Sequence, residues 1–196
     1  MSRPITAAEF HAAEGVADWR VLTSGACAYF RGTFDQIKHL VTDTADIRPD
    51  GITVRLPLTE ASIDEARRIS ARARELGATP EPVRLQHVGL TLDALVSAGV
   101  MPFWLAVLGY EPEGDEDVVD PRGQGPGIWF QDMDVPRTDR NRLHIDVSVP
   151  HDQAEQRVQQ ALRAGGTLKD DSHAPSWWVL ADAEGNEVCI ATWVGR

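Results

Sequence analysis

The sequence has few cysteines and no long apolar run, and each absence excludes a class of protein. Only two cysteines, Cys27 and Cys189, occur in 196 residues, too few for a disulfide framework. Both lie in apolar, strand-like stretches, which predicts buried thiols in a reducing compartment. No apolar stretch approaches the roughly 20 residues that span a bilayer, and MSRPITAAEF lacks the apolar core of a secretory signal. We therefore expect a cytoplasmic protein with no membrane partner.

Positive charge is also scarce. The chain has 19 Lys/Arg against 30 Asp/Glu, a net charge of −11. Residues 1–81 carry 10 basic and 12 acidic side chains, whereas residues 82–196 carry 9 and 18. A surface this acidic repels the phosphate backbone, so we expect no nucleic-acid partner. It would attract a cationic small molecule, although solubility is the simpler explanation of the charge.

The pattern of residues 1–81 predicts a small α+β domain. Capping boxes at Thr33–Gln36 and Ser62–Glu65 each open a helix, and Gly77 ends the second one. The predicted elements are, in order, helix 7–13, strand 26–31, a helix after Thr33, strand 52–58 and a helix from Ser62 to Leu76. Residues 78–82 contain two prolines and are typical of a stiff linker, so we place a domain boundary after residue 81.

Residues 82–196 contain two similar halves, each a strand, a helix and further strands. The first half is predicted as strand 85–91, helix 94–108 and strands within 110–119 and 127–132. The second is predicted as strand 143–149, helix 151–164 and strands 167–169, 177–181 and 188–193. The repeat lies in the order of the elements, since few residues are identical. Two such βαβββ modules side by side would form a cupped mixed sheet, and cups often hold ligands.

Four stretches of this second segment resemble the vicinal-oxygen-chelate superfamily of glyoxalases, bleomycin resistance proteins and extradiol dioxygenases. They are QHVGL (86–90), FWLAVLGYE (103–111), RLHIDV (142–147) and DAEGNEVCI (182–190). The resemblance implies a small-molecule ligand in the cup and a divalent metal such as Zn, Ni, Mn or Fe. It also implies lyase, isomerase or dioxygenase chemistry, or metal-free sequestration of a compound. Because the superfamily pairs modules within or between chains, we expect a homodimer.

The same resemblance assigns candidate metal ligands. His87 takes the first-strand position of the first half, and His144 takes the matching position of the second half. The superfamily's carboxylate, four residues after the glycine of the last turn, is replaced here by Cys189, counted from Gly185. Glu187 lies two residues earlier, and residues two apart share a face of a strand, so both could face the cup. The sequence is therefore compatible both with a metal bound at these residues and with a metal-free site.

Aromatic residues supply candidate contacts to a substrate. Trp129 precedes Phe130, and Trp177 precedes Trp178, so one member of each pair should face the cup and the other the helices. A cup lined by Trp129 or Trp177 would suit a flat apolar ligand, and Gln131 could hydrogen-bond a substrate. For any single tryptophan, packing in the core is the competing explanation.

The first segment resembles pterin-4a-carbinolamine dehydratase. The similar stretches are GTFDQIKHLV (32–41), ITVRLPL (52–58) and ASIDEARRISARARELG (61–77), after the start at Trp19. That family relies on a His-His-Pro stretch, where residues 45–51 here read ADIRPDG, and on a later Thr-His-Asp stretch, replaced by LTEA (58–61). Dehydration needs a proton donor and acceptor, so we predict an inactive domain that serves packing, dimerisation or a lid. A structural or regulatory protein assembled through this domain is therefore a third functional alternative.

Overall fold

The chain forms two compact units. The computed structural model describes residues 2–22, 25–136 and 145–194, and the units are Met1–His87 and Val88–Arg196. The division falls after the predicted linker, because that segment is part of the first unit. Its residues Thr79–Pro80 pair with the strand that contains Phe30 and Arg31, and the Glu81 N–H donates to the Tyr29 carbonyl at 2.9 Å.

The first unit is an α+β fold around an antiparallel sheet. Its helices are α1 (Ala7–Ala12), α2 (Phe34–Ile37) and α3 (Glu60–Glu75). Its strands are β1 (Arg20–Leu22), β2 (Gly25–Arg31), β3 (Asp46–Arg48), β4 (Gly51–Leu56) and β5 (Thr79–Pro80), with short 3-10 turns at Lys38–Leu40 and Pro82–Arg84. The strand order is β1-β2-β4-β3. The short strand β5 pairs with the last two residues of β2. Phe10, Trp19 and Phe30 are fully buried between sheet and helices.

The start of α3 differs from the sequence-based prediction. Thr59 is the N-cap, and its hydroxyl hydrogen-bonds to the hydroxyl of Ser62 at 2.8 Å. The predicted capping box at Ser62 is therefore wrong, because Ser62 already lies in the buried first turn. The apolar face was predicted correctly, since Ala66 and Ile69 pack into the core. Gly77 follows the helix with φ of +72°, the left-handed conformation expected of a C-terminal glycine.

The second unit consists of two βαβββ modules. The first contains β6 (Leu90–Ala94), α4 (Ser97–Leu108), β7 (Glu111–Glu113), β8 (Asp117–Val119) and β9 (Ile128–Asp132). The second contains β10 (Ile145–Ser148), α5 (Ala154–Arg163), β11 (Thr167–Asp170), β12 (Trp177–Ala181) and β13 (Glu187–Ala191). The sheet orders are β6-β9-β8-β7 and β10-β13-β12-β11. In each sheet the first strand is parallel to the last and the other pairs are antiparallel, which confirms the predicted paired modules.

Both modules contribute to one hydrophobic core. α4 and α5 contact each other. Residues from both sheets pack on these helices, including Phe130 of β9, Leu180 of β12 and Ile190 of β13. Among the described residues, no strand of one sheet pairs with a strand of the other. The predicted single cupped sheet is therefore replaced by two four-stranded sheets. The face of each sheet turned away from this core is called here its open face.

Polar contacts hold the two modules together. The Trp104 indole N–H donates to Asp182 Oδ2 at 3.0 Å. The Glu184 carboxylate accepts from the backbone N–H groups of Leu95 and Val96 at 2.7 and 2.8 Å, just ahead of α4. A carboxylate there satisfies N–H groups that the helix itself cannot pair. No described helix is long and apolar enough to cross a membrane.

Candidate functional site

Strand β13 presents two candidate ligands on the open face of the second module. Val188 and Ile190 are buried in the shared core. Because side chains alternate along a strand, Glu187 and Cys189 project to the opposite face. Both are half-buried. The sequence allowed both residues to share one face of the strand, and the structure places both on the open face.

The neighbouring strands add an acid and an aromatic ring to this face. Asp146 of β10 is the direct partner of Cys189, and Val179 of β12 is its partner on the other side. Trp177 lies on the same face of β12, two residues from Val179. Adjacent strands are about 4.8 Å apart. Trp177 pairs with Ala191 and Glu187 pairs with Ala181, so these two side chains share a face but lie about 14 Å apart along the strands. Asp146, Trp177, Glu187 and Cys189 are called here the second-module face.

Sequence reasoning did not single out Asp146. Its position two residues after His144 in LHIDVSV was a usable pattern, because alternate residues of a strand share a face. What the pattern could not give is the pairing with Cys189, since β10 and β13 are far apart in the chain.

The two tryptophans of β12 separate as predicted. Trp178 is 9% exposed and belongs to the core, whereas Trp177 is half-buried on the open face. The Trp177 ring stacks on His173, with ring centroids 4.2 Å apart and planes 20° from parallel. This stacking holds the indole flat against one neighbour and fixes its orientation.

The other aromatic candidates lie on the first module. Phe130 is 1% exposed in the core, while Trp129 is 42% exposed on the open face, as the alternation predicts. The Trp129 indole N–H donates to Glu116 Oε2 at 3.3 Å. Gln131 shares this face and is exposed. Trp129 and Gln131 therefore belong to a different sheet from Glu187 and Cys189.

His87 does not lie on a strand. The predicted strand 85–91 is replaced by β6, which starts at Leu90, and His87 is an exposed residue of the first unit. The physical reason is the partner strand. Leu90 pairs with Ile128, and the residues before Ile128 are Pro126, which has no N–H to donate, and Gly127. The other predicted histidine, His144, lies outside the described residues.

A metal centre is not assembled among the described residues. Within residues 2–22, 25–136 and 145–194, no three His, Cys, Asp or Glu side chains form a set that could hold a metal ion. Glu187, Cys189 and Asp146 contribute potential ligands on one face; of the two histidines of the predicted set, His87 belongs to the first unit and His144 is not described.

The loop between β8 and β9 is organised by one carboxylate. Asp120 accepts from the backbone N–H groups of Arg122, Gln124 and Gly125 at 2.9 to 3.0 Å and from Arg122 Nε at 3.0 Å. Burial alone would raise the pKa of Asp120, but these donors together outweigh it and lower the pKa to about 2. The loop that contains residues 123–127 is therefore held at its start by Asp120.

This shifted pKa gives a pH-dependent prediction. A carboxyl whose pKa is lowered on folding stabilises the fold above its unfolded pKa of about 3.9 and loses that contribution as the pH falls toward 2. Asp120→Asn should therefore lower stability by about 1 to 2 kcal/mol at pH 7 and by progressively less below pH 4. Thermal unfolding between pH 7 and pH 2.5 measures the difference. Asp115→Asn, at an exposed hairpin position, is the control, and a difference that persists unchanged at low pH would contradict the assignment.

The second unit is similar to known proteins. A sequence profile described as a glyoxalase-like domain matches residues 89–191. The chain resembles a glyoxalase-related enzyme from Fulvimarina pelagi, with a TM-score of 0.43 and 19% identity over 55% of this chain and 88% of that one. It also resembles a fosfomycin resistance protein from Mesorhizobium loti, with a TM-score of 0.43 and 8% identity over 55% and 89%. None of the curated proteins compared with the chain matches it significantly.

Paired βαβββ modules, each with a parallel first and last strand, define the second unit as a domain of the vicinal-oxygen-chelate class. The profile match covers more than half of the chain. The protein therefore belongs to the glyoxalase-like domain family.

Proposed function

We propose that the protein binds a cationic aromatic small molecule on the second-module face. The observation that carries this proposal is the arrangement of Asp146, Glu187 and Trp177 on three neighbouring strands. Two carboxylates attract a cation, and an indole ring supplies a flat apolar surface with a cation–π attraction. The acidic second segment favours the approach of such a ligand, with 18 Asp/Glu against 9 Lys/Arg in residues 82–196. Binding of this kind needs no metal, as in a sequestering or resistance protein.

A matched pair of probes tests the proposal. At pH 7.5, 9-aminoacridine is a cation and acridine is neutral, while their ring systems are nearly the same. We expect calorimetric titration to give tighter binding of 9-aminoacridine by about tenfold, an energy of about 1.4 kcal/mol. Glu187→Gln should remove most of that preference, and Trp177→Ala should weaken both probes by about tenfold, the size of one ring contact.

The control is Glu155→Gln, which removes one negative charge from an exposed position on α5 and should leave both affinities unchanged. Equal binding of the two probes, or a Glu187→Gln variant that keeps the preference, would refute a charge-selective site on this face.

A metal-dependent enzyme of the lyase, isomerase or dioxygenase kind is the second candidate. One observation favours it. The register pairs Ile145 with Val188, and the residues that immediately precede these two in the sequence are His144 and Glu187. We propose this histidine and carboxylate as two ligands of a divalent metal, with Cys189 as a further ligand. The metal would polarise a substrate oxygen, and Trp177 would bind the apolar part of the substrate. Untagged protein that takes up no Zn, Ni, Mn or Fe in dialysis would exclude this alternative.

We propose that the first unit is an inactive pterin-dehydratase-like domain. The acid at the place of that family's histidine stretch is Asp50, in the turn between β3 and β4. Its carboxylate pairs with Arg84 at 2.7 Å, and this guanidinium lowers the pKa of Asp50. A carboxylate held in this way is a weak proton acceptor.

We further propose that the protein is a homodimer, with this unit contributing to assembly. Light scattering would then give twice the 21.5 kDa chain mass.

A further inference from the structure

The second unit contains a cavity that is lined by residues of both modules. Its volume is about 340 Å³, within the range of roughly 300–1,000 Å³ typical of small-molecule sites. One wall is apolar and belongs to the core side of the sheets, formed by Leu90, Leu108, Ile128, Ile145 and Val147. The polar part of the lining comes from the loop between β8 and β9, from Tyr110, and from Asp146 and Ser148 of β10.

One arginine lines this cavity and a second lies close to its lining residues. Arg122 lines it directly. Arg157 of α5 is half-buried and donates from Nη1 to the Val107 carbonyl at 2.9 Å. The same Nη1 is 3.0 Å from where a Cβ would lie on Gly109, the residue between the cavity-lining Leu108 and Tyr110.

These two cations are close to each other and incompletely neutralised. Burial lowers the pKa of Arg157, and the positive charge of Arg122 lowers it further. Arg122 forms an ion pair with Asp120 through Nε at 3.0 Å, and the same carboxylate also accepts three backbone N–H groups. No described carboxylate forms an ion pair with Arg157. A guanidinium carries five N–H donors, so both arginines retain donors for an additional anion.

We propose that this cavity binds a small organic carboxylate. The carboxylate lies between Arg122 and Arg157, and the apolar body of the ligand lies against Leu90, Ile128 and Val147. Guanidinium groups bind carboxylates through paired N–H donors, and the apolar wall excludes water from the rest of the molecule. The cavity shares Asp146 with the second-module face, but its proposed ligand carries the opposite charge and does not contact Trp177, Glu187 or Cys189.

A purely structural role for Arg157 makes a different prediction. Its bond to the Val107 carbonyl satisfies an acceptor at the end of α4. If this were its whole role, replacing it would change the melting temperature and leave the affinity for anions unaltered. Affinity for a charged and a neutral probe of the same shape therefore distinguishes the two roles.

The experiment uses the full chain with benzoate and benzamide, which share size and planarity and differ in charge. We expect calorimetry to show benzoate binding about tenfold more tightly than benzamide. Arg122→Gln and Arg157→Gln should each weaken benzoate about tenfold and leave benzamide unchanged, because only the carboxylate contacts are lost. Leu90→Phe, which fills the apolar end, should weaken both probes. Arg163→Gln, an exposed arginine on the same helix, should change neither.

Equal affinity of the unaltered protein for benzoate and benzamide would overturn the proposal without reference to any variant. So would displacement of benzoate by an equal concentration of inorganic phosphate, since the cavity would then recognise charge alone. Glu187→Gln should leave benzoate binding intact. Failure of this proposal is therefore separate from failure of cation binding on the second-module face.

Discussion

Replacing Phe103 with alanine should destabilise the second unit by about 3 to 5 kcal/mol, the usual cost of removing a buried phenyl ring. Phe103 is fully buried in α4 and meets the Trp104 ring edge-to-face, with centroids 5.6 Å apart. Its ring also lies against Gly166, where a Cβ would clash with it. Because Gly166 follows α5, the ring fills space between both modules. A loss of this size is a large fraction of the 5 to 15 kcal/mol that typically stabilises a domain.

Scanning calorimetry should show this effect in one transition only. The core of the first unit consists of residues from that unit, among them Phe10 and Trp19, so its transition should stay in place. Phe34→Ala is the matched control, because the Phe34 ring is 62% exposed and its removal should cost less than about 0.5 kcal/mol. A Phe103→Ala protein whose two units lose stability together would show that the two cores unfold cooperatively.

The element order of both units could be predicted from the sequence because it depends on local patterns. The periodicity of α3 identified its buried residues Ala66 and Ile69, and strand 177–181 was predicted with the bounds that the structure shows. The alternation of β9 correctly separated Phe130 from Trp129. In each case the side chain's direction follows from the residue's position in a repeating backbone.

The errors arose where a distant part of the chain decides the outcome. LQHVGLT alternates like a strand, but β6 starts at Leu90 because its partner β9 starts at Ile128. Similarly, no local pattern shows that Asp146 pairs with Cys189, since this register depends on the packing of β10 against β13. Strand ends and cross-strand neighbours are tertiary properties.

The loop at Asp120 illustrates an intermediate case. The loop contains three glycines within residues 123–127, and the acid that orders it lies two residues before Arg122 in the sequence. Aspartate commonly accepts N–H groups a few residues ahead in a turn, so the role of Asp120 in ordering this loop could have been predicted from the sequence. The approach of Arg157 to the same loop could not have been predicted, because α5 reaches the loop only through the contact between the two helices.

Asp182→Ala should destabilise the second unit by at least about 3 kcal/mol, because several buried donors would lose their acceptor at once. Asp182 is 2% exposed. Its Oδ1 accepts from the backbone N–H groups of Glu184 and Asn186, both at 2.9 Å. Its Oδ2 accepts from Asn186 Nδ2 at 2.8 Å and from the Trp104 indole at 3.0 Å. Chemical denaturation followed by tryptophan fluorescence measures the loss.

The structural reason for so large an effect is that Asp182 serves two purposes. Three of its bonds shape the turn between β12 and β13, and the fourth reaches Trp104 in the other module. A double-mutant cycle with Trp104→Phe separates them, since that change should cost less when Asp182 is already alanine. Asp171→Ala, at an exposed position, should cost less than about 0.5 kcal/mol. Additive losses in the cycle would mean that the turn alone needs Asp182, and that the modules are joined by their apolar contacts instead.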